Sequence, residues 1–461
     1  MPTGQPSVLV ITCHDLGRHL GCYGVPTLRT PNLDRLAAQG VRFAQAYCAA
    51  PQCSPSRAAL YTGRHPHSNG VLGLTHANFG FDLQPEERHL AQILKESGRA
   101  TALVGADHEI RHVDDASAAA RLGFDHLERP RRGDAIAAAA LAQLERFAEG
   151  RTPFYLQVGF NEPHRLAHPD PAAEPDYMGF RSDYVEPDDR LGLTVPPWLR
   201  DTPAGRAEIA ELQGAVHYVD RAIGRLLDRL DELGLADETL VVYTPDHGLA
   251  LPRAKCSLYG PGLEVALLVR YPDRGWAGGR VQAELISNVD VFPTILEALG
   301  LAVPPSVQGR SFAPLLDGRP YAAREAIFGE MTYHDYYDPR RCVRTASHHL
   351  IVNFTAAPAF MNPSQSWRPR TDPLVPPKPA LAYHPLVELF DLVRDPHEQV
   401  DVAGQPAYAA VQADLLARLH AWMRQTDDPL LEGAVTPPMH RWALRALAGQ
   451  GVPSTTTPPV A

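Results

Sequence analysis

The chain has 461 residues, of which 44% are hydrophobic and 21% are charged, and both fractions are typical of a soluble globular protein. Lys and Arg number 43 against 53 Asp and Glu, which gives a net charge of −10. No overall positive field therefore attracts nucleic acid, and an anionic substrate has to be held by a local positive site.

The amino terminus predicts a cytoplasmic protein without a membrane segment. Residues 1–7 carry no Lys or Arg, and the apolar run 8–11 is too short for a signal peptide or a membrane span. Six cysteines are few for this length, and none lies in a Cys-x-x-Cys pair. We therefore expect reduced thiols in a reducing compartment.

Buried strands alternate with helices through the first 330 residues. The run 8–12 is apolar and β-branched, which is typical of a parallel strand buried on both faces. Further strands are predicted at 101–104, 154–160, 239–244 and 265–269, and helices at 32–39, 86–97, 135–148, 204–233 and 289–299. The alternation predicts an α/β fold with a large, mostly parallel sheet sandwiched by helices. Because such sheets bind ligands at the carboxyl ends of their strands, the polar residues that follow the strands are expected to share a site.

The pattern changes after residue 320. Short strand-like pieces at 327–330, 343–345, 349–354 and 386–392 precede a helix at 411–424. We predict a catalytic α/β domain at 1–340, a small α+β domain at 341–430, and a C-terminal extension at 431–461 that is disordered from about residue 450. Residues 166–202 are rich in Pro, Asp and Arg without a period, which predicts a long loop that forms a lid or a binding wall.

Cys53 lies at a predicted helix start. Ser54 can act as N-cap, Pro55 suits the first helical position, and Gly63 can end the helix. The free N–H groups and the helix dipole, together with Arg57 one turn into the helix, favour an anion at this point. The alternative is a buried structural cysteine.

Asp15, Asp246 and His247 each follow a predicted strand, so these residues can converge on one divalent cation. Carboxylates bind hard cations, and an imidazole broadens the choice toward Mn²⁺ or Zn²⁺. Taken singly, such an Asp is a common helix cap and a His-Gly pair a common turn. Only the set indicates a metal site.

The string Cys53-Ser54-Pro55-Ser56-Arg57, with Leu60, Thr62 and Gly63 behind it, resembles the signature of the type I sulfatases of the alkaline-phosphatase-like superfamily. The resemblance covers about residues 7–400. Within the sulfatases, the sequence resembles the sulfamidase (N-sulfoglucosamine sulfohydrolase) branch. Its other matching stretches are 162–165, 244–248, 258–262, 389–391 and 394–398.

The resemblance implies a formylglycine nucleophile beside one divalent metal ion. Cys53 would be oxidised to formylglycine by a formylglycine-generating enzyme, and the product would act as nucleophile and metal ligand. The other implied ligands are Asp15, Asp246 and His247, with His14 adjacent. The implied ion is Ca²⁺, with Mn²⁺ or Zn²⁺ as alternatives.

The resemblance also implies how a small sulfated substrate is held. Arg57 and Lys255 would bind the sulfate, and His108 and His164 would serve the nucleophile or the leaving group. The residues expected to contact the rest of the substrate are Arg165, His334 and Asp335.

Two positions depart from the family pattern. His14 replaces the first Asp of an Asp-Asp pair, and Ala106 replaces the Lys of a Gly-Lys-x-His motif. The resemblance as a whole nevertheless favours a sulfatase acting on a sulfate ester or sulfamate of a small sugar. A phosphonate monoester or phosphodiester hydrolase of the same superfamily is the alternative, and a member that binds an anion without turnover is the third hypothesis.

Overall fold

The computed structural model describes residues 5–111, 113–167, 178–357, 370–374 and 383–451. Its strands are β1 (Ser7–Cys13), β2 (Val41–Tyr47), β3 (Ala100–Gly105), β4 (His126–Glu128), β5 (Phe154–Gly159), β6 (Leu166–Ala167), β7 (Met178–Gly179), β8 (Thr239–Pro245), β9 (Leu268–Arg270), β10 (Arg280–Ser287), β11 (Ile327–Tyr333), β12 (Tyr337–Arg344), β13 (His348–Asn353) and β14 (Val387–Asp391). Its α-helices are α1 (Pro31–Gln39), α2 (Cys53–Thr62), α3 (Pro66–Asn69), α4 (Leu90–Glu96), α5 (Asp115–Leu122), α6 (Gly133–Gly150), α7 (Pro203–Glu232), α8 (Gly260–Leu263), α9 (Val291–Ala298), α10 (Ala313–Leu316), α11 (Ala409–Gln425) and α12 (Pro438–Leu447).

Eight strands form the central sheet in the order β10-β2-β9-β8-β1-β5-β3-β4. Its pairs are parallel except that β9 runs antiparallel to both β2 and β8. Every residue of β1 and of β8 is buried, as expected for strands covered on both faces. The predicted fold class is therefore confirmed.

The register brings four strand ends to one edge of the sheet. Thr12 of β1 lies beside Gly159 of β5 on one side and Thr244 of β8 on the other, and Gly105 of β3 lies beside Gly159. The polar residues that follow these strands consequently start from neighbouring points, as the sequence predicts.

The helices flank this sheet. The longest, α7, buries a stripe spaced three or four residues apart, which matches its predicted apolar face. The stripe consists of Leu212, Val216, Val219, Ile223, Leu226 and Leu230, all fully buried. No helix in the described ranges is both long and apolar enough to cross a membrane.

The second sheet is antiparallel, in the order β11-β12-β13-β14, and α11 packs against it. The strand β12 spans position 340, where the sequence analysis divides the chain, and that division stays a prediction. The predicted C-terminal disorder falls mainly on 452–461, which lie outside the described residues, as do 168–177 of the predicted lid loop. The helix α12 in the extension was not predicted.

Candidate active site

Cys53 is the first residue of α2. The N-cap is Gln52, so the prediction that Ser54 caps this helix is wrong. The Ser54 hydroxyl instead accepts a hydrogen bond from the Thr75 N–H at 3.1 Å, which removes it from the capping position. Gly63 ends the helix in the left-handed conformation at φ 67°, as predicted. Residue 53 therefore lies in the first helical turn, where backbone N–H groups lack partners within the helix.

Asp15, Cys53, Asp246 and His247 meet at the carboxyl ends of β1 and β8. His247 Nε2 lies 3.2 Å from Asp15 Oδ1, 3.5 Å from Asp246 Oδ1 and 3.3 Å from Cys53 Sγ. One ligand atom from each of the four residues lies within 4.8 Å of all the others. The structure thus brings together the residues that the sequence proposed as metal ligands.

The donor set fits a divalent cation. His247 Nδ1 lies 3.0 Å from the Gly248 carbonyl oxygen, which fixes the ring proton on Nδ1. The lone pair of Nε2 then faces two carboxylates and the Cys53 sulfur, an arrangement that is repulsive unless a cation lies among them. Two carboxylates and an imidazole, held by hydrogen bonds behind them, form a typical site for such an ion.

His14 lies beside this group and contacts its outer face. Its Nδ1 is 3.1 Å from Asp246 Oδ2, the carboxylate oxygen that also accepts from Arg57 Nε at 3.2 Å. A second group of possible ligand atoms joins His14 with Asp15, Cys53 and His164. The structure therefore shows His14 next to Asp246 and Asp15, as the sequence predicts, and its role as a metal ligand stays a prediction.

Two buried cations face the two carboxylates. Lys255 Nζ lies 2.9 Å from each oxygen of Asp15, and Arg57 donates from Nη1 to Thr12 Oγ1 at 3.0 Å besides its contact with Asp246. Each side chain is at most 2% exposed. These four charges balance, so a bound dication would leave a local positive charge, which an anionic substrate can offset in part.

Burial and these charges shift the pKa values of the site. Burial alone raises the pKa of Asp15, but Lys255 and His164 outweigh burial and lower it to about 2. Burial raises the pKa of the Cys53 thiol well above its ordinary value, so an unmodified Cys53 is a thiol and not a thiolate at neutral pH. Burial and the nearby Lys255 lower the pKa of His164 to about 4.

His108 and His164 line the site beside His14. Their rings lie 5.1 Å and 5.2 Å from the His14 ring. The His164 Nδ1 lies 2.7 Å from the Arg165 carbonyl oxygen, so its Nε2 faces Lys255 Nζ at 3.4 Å. His108 has a left-handed backbone at φ 54°, a strained conformation that is often found at functional sites.

Arg165 does not point toward these groups. Its guanidinium is buried, pairs with Glu208 of α7 at 2.6 Å and lies 4.6 Å from the Phe180 ring centre. It also donates to the Ala250 carbonyl at 2.8 Å. This geometry fixes α7 to the loop after β5 and does not support the predicted contact between Arg165 and a substrate.

His334 and Asp335 follow β11, and His334 Nδ1 lies 3.1 Å from Asp335 Oδ1. Burial lowers the pKa of His334, but the Cys256 and Asp335 side chains outweigh burial and raise it to about 10. The substrate contacts predicted for both residues stay a prediction.

His76 belongs to the same group of imidazoles and was missed by the sequence analysis. Its ring lies 5.6 Å from that of His108, and Thr75 Oγ1 donates to the His108 carbonyl at 3.1 Å. Burial and the charges of His334, His164 and Lys255 lower the pKa of His76 to about 4. Nothing in the local sequence indicates this position, since His76 follows neither a strand nor a recognisable motif.

Comparisons with known proteins agree with this site. Residues 6–301 match the family profile described as Sulfatase, and residues 253–361 match the profile described as N-sulphoglucosamine sulphohydrolase, C-terminal. The human N-sulphoglucosamine sulphohydrolase is 28% identical over 92% of this chain and 91% of its own length.

Two solved structures show the same fold. A protein solved with its substrate D-glucosamine-2-N,6-O-disulfate has a TM-score of 0.70 at 21% identity, over 92% of this chain and 99% of its own. The phosphonate monoester hydrolase of Agrobacterium radiobacter has a TM-score of 0.66 at 21% identity, over 91% of this chain and 96% of its own. The profile match covers more than half of the sequence. The chain therefore belongs to the sulfatase family and is a sulfuric ester hydrolase.

Proposed function

We propose that this enzyme hydrolyses a sulfate ester or a sulfamate of a small sugar through a formylglycine at position 53. The observation that carries the proposal is that Cys53 faces Asp15, Asp246 and His247 while Lys255 and Arg57 lie behind them. The substrates named for the human relative and for the solved complex support the sugar. Maturation by a formylglycine-generating enzyme is part of the proposal.

The site offers an anion three sources of positive charge. Lys255 and Arg57 supply two buried cations, and the first turn of α2 supplies backbone N–H groups and the positive end of a helix dipole. Because both cations already pair with carboxylates, they are held in place before the substrate arrives. Such preorganised charge stabilises the negative charge that develops on sulfate oxygens during transfer.

A divalent cation would be held by Asp15, Asp246, His247 and the side chain of residue 53. When bound, it would neutralise negative charge and polarise the oxygens that it contacts. The Cys53 sulfur occupies the place that an oxygen of hydrated formylglycine takes in the mature enzyme. Ca²⁺ is the ion that the family resemblance implies, and the imidazole donor also suits Mn²⁺ or Zn²⁺.

The chemistry needs two hydroxyls on one carbon. One hydroxyl of the hydrated aldehyde loses its proton and its oxygen bonds to sulfur, while the bond from sulfur to the sugar oxygen or nitrogen breaks and that atom takes a proton. The second hydroxyl then loses its proton, the bond from carbon to the sulfate oxygen breaks, and the aldehyde and free sulfate result. A thiol at position 53, protonated because of its raised pKa, could not follow this route.

His108 and His164 are placed to move the protons. The Nε2 of His164 faces Lys255 and lies 3.8 Å from Asp15 Oδ2, and its lowered pKa keeps it neutral at pH 7. A neutral imidazole can take the proton of the nucleophile, and its conjugate acid can then protonate the leaving group. We assign the first transfer to His164 or His108, and the imidazolium that this histidine becomes gives the same proton to the leaving group.

A panel assay tests the proposed function. Matured, metal-loaded enzyme is offered N-sulfoglucosamine, a monosaccharide O-sulfate, an activated aryl sulfate, a bis-aryl phosphodiester and a phosphonate monoester. We expect slow turnover of the aryl sulfate and faster turnover of a sulfated sugar. If the phosphodiester or phosphonate turns over much faster than every sulfated compound, the proposed function becomes that of a phosphonate monoester or phosphodiester hydrolase.

One observation favours this second candidate. The Asp246–His247 pair resembles the metal-binding pair of those hydrolases.

A further inference from the structure

The C-terminal helix α12 packs against a loop of the catalytic domain. Met439 donates its backbone N–H to the Phe79 carbonyl at 2.9 Å. The Trp442 indole lies so close to Gly80 that a Cβ at residue 80 would collide with the ring. Gly80 also has a left-handed backbone at φ 87°, so the close approach and the backbone both favour glycine.

Trp442 is the residue through which α12 makes this contact. It is half-buried, whereas the helix residues after it are exposed, including Leu444 at 53% and Leu447 at 85%. The Arg111 guanidinium lies over its ring at 5.5 Å, and the Arg111 backbone N–H donates to Asp82 Oδ1 at 2.9 Å. Trp442 therefore covers both the loop at Gly80 and the segment that follows His108.

The segment before α12 is fixed to the same region. The Tyr333 hydroxyl donates to the Val435 carbonyl at 2.7 Å, and the Val435 N–H donates to the Tyr337 hydroxyl at 3.1 Å. Tyr333 in turn donates its N–H to the Leu72 carbonyl at 3.0 Å and lies 5.0 Å from the Phe81 ring. The extension thus contacts the loop 72–82 directly at Phe79 and Gly80, and it is joined to Leu72 through Tyr333.

That loop carries His76 into the active site. His76 is partly exposed, and its ring lies 5.6 Å from the His108 ring. Tyr333, which the extension also holds, directly precedes His334. An imidazole that is partly exposed beside His108 can hydrogen-bond a sugar hydroxyl.

We propose that Trp442 is a positioning residue for substrate selection: it holds the loop 72–82, and with it His76, in the wall that contacts the sugar part of the substrate. The inference rests on the proposed function, because the sulfated sugar comes from that proposal. The positioning of the loop by Trp442 is argued from the contacts of α12 alone. The contacts of α12 described above are with the loop at Gly80 and with Arg111, whereas Arg57 and Lys255 would hold the sulfate. We therefore expect sulfate binding to stay unchanged when Trp442 is lost.

The test compares Trp442→Ala, Trp442→Phe and the control Leu447→Ala, which changes an exposed residue of the same helix. Hydrogen exchange of peptides from 72–83 is measured beside peptides from β1 and β8. We expect exchange in the loop to rise about tenfold in Trp442→Ala, with the central strands unchanged, and to rise less than about threefold in Trp442→Phe. Unchanged exchange in the loop of Trp442→Ala would overturn the proposal.

The second measurement is selectivity. The ratio of kcat/KM for a sulfated monosaccharide to kcat/KM for an activated aryl sulfate should fall about tenfold in Trp442→Ala, through KM for the sugar, and recover in Trp442→Phe. Equal losses for both substrates, or the same change in Leu447→Ala, would contradict the proposal. A wild-type enzyme that hydrolyses no sulfated compound would instead contradict the proposed function, and the exchange measurement would still decide whether Trp442 positions the loop.

Discussion

The Nζ of Lys255 lies 2.9 Å from each oxygen of the Asp15 carboxylate, and both side chains are buried. This contact joins a predicted sulfate-binding cation to a predicted metal ligand across 240 residues of sequence. Burial lowers the pKa of Lys255, but the Asp15 carboxylate outweighs burial and raises it, so the ammonium keeps its charge. The Lys255 side chain can thereby both hold the Asp15 carboxylate in place and bind an anion.

Replacing Lys255 with Met should lower kcat/KM for an aryl sulfate by about 10²- to 10³-fold, because a preorganised charge beside the reacting group is lost. The control is Lys95→Met, which removes a half-exposed ion pair with Asp125 at 2.7 Å and should leave kcat/KM unchanged. Steady-state kinetics of both variants measure this. A Lys255→Met enzyme within a few-fold of wild type would contradict the sulfate-binding role.

Replacing Ala106 with Lys should raise the sulfatase activity. The neighbouring Asp107 carboxylate pairs with Arg129 Nη2 at 2.6 Å, so it has not taken the place of the missing lysine. A new ammonium directly after β3, at the position where the family pattern has Lys, is expected to add positive charge near the sulfate. Ala106→Met is the matched control for side-chain length, and both variants are assayed with the same aryl sulfate. If the Lys and Met variants lose activity equally, the space is not suited to a cation.

The metal preference should depend on His247. After chelation, Mn²⁺ or Zn²⁺ should restore wild-type activity better than Ca²⁺, because imidazole is a poor ligand for Ca²⁺. His247→Asn should reverse that order, while His126→Asn, which changes a partly exposed histidine paired with Glu128, should not. Recovery of activity and the shift in Tm on adding each ion are the two measurements. The same order in wild type and His247→Asn would show that this imidazole is not a ligand.

Glu398 should make the free energy of unfolding depend on pH in the acidic range. Its Oε1 lies 2.9 Å from His349 Nδ1 and 2.5 Å from Arg344 Nη1, and Oε2 accepts from the Gly260 N–H at 2.7 Å. Burial raises its pKa, but His349 and Arg344 outweigh burial and lower it to about 2. A folded-state pKa below the unfolded one means that the stabilisation is complete above about pH 4.5 and is lost as the pH falls toward 2.

Glu398→Gln should therefore lower the free energy of unfolding by up to about 3 kcal/mol at pH 7. The difference from wild type should shrink as the pH falls below 4.5. Urea unfolding at several pH values measures both, and Glu432→Gln, an exposed change, is the control. A difference that is constant from pH 7 to pH 3.5 would show that the carboxylate charge does not act in this way.

The central sheet and the convergence of Asp15, Asp246 and His247 could be predicted because their signals are local. Runs of four apolar residues, at 8–11 before Cys13 and at 240–243 before Pro245, indicate parallel strands, and the ends of such strands meet at one edge. Asp15 and Asp246 consequently converge although 230 residues separate them. Once the strands are identified, the rules of parallel sheets place both carboxylates.

Other features depend on contacts that the local sequence does not contain. Ser54 has the propensity of an N-cap, but its hydroxyl bonds to Thr75 from a distant loop. Arg165 lies within a motif, yet its direction is decided by Glu208 on α7. His76 follows no strand, so only the fold brings it beside His108.

Peptide mass spectrometry across residues 53–57, with aldehyde-specific hydrazide labelling, tests the central claim most directly. The protein is taken from a host that contains a formylglycine-generating enzyme, and its sulfatase activity is measured on the same preparation. We predict an aldehyde in place of the Cys53 thiol and activity in proportion to the aldehyde fraction. A preparation that carries only the unmodified thiol and hydrolyses the sulfated substrate equally fast would contradict the account.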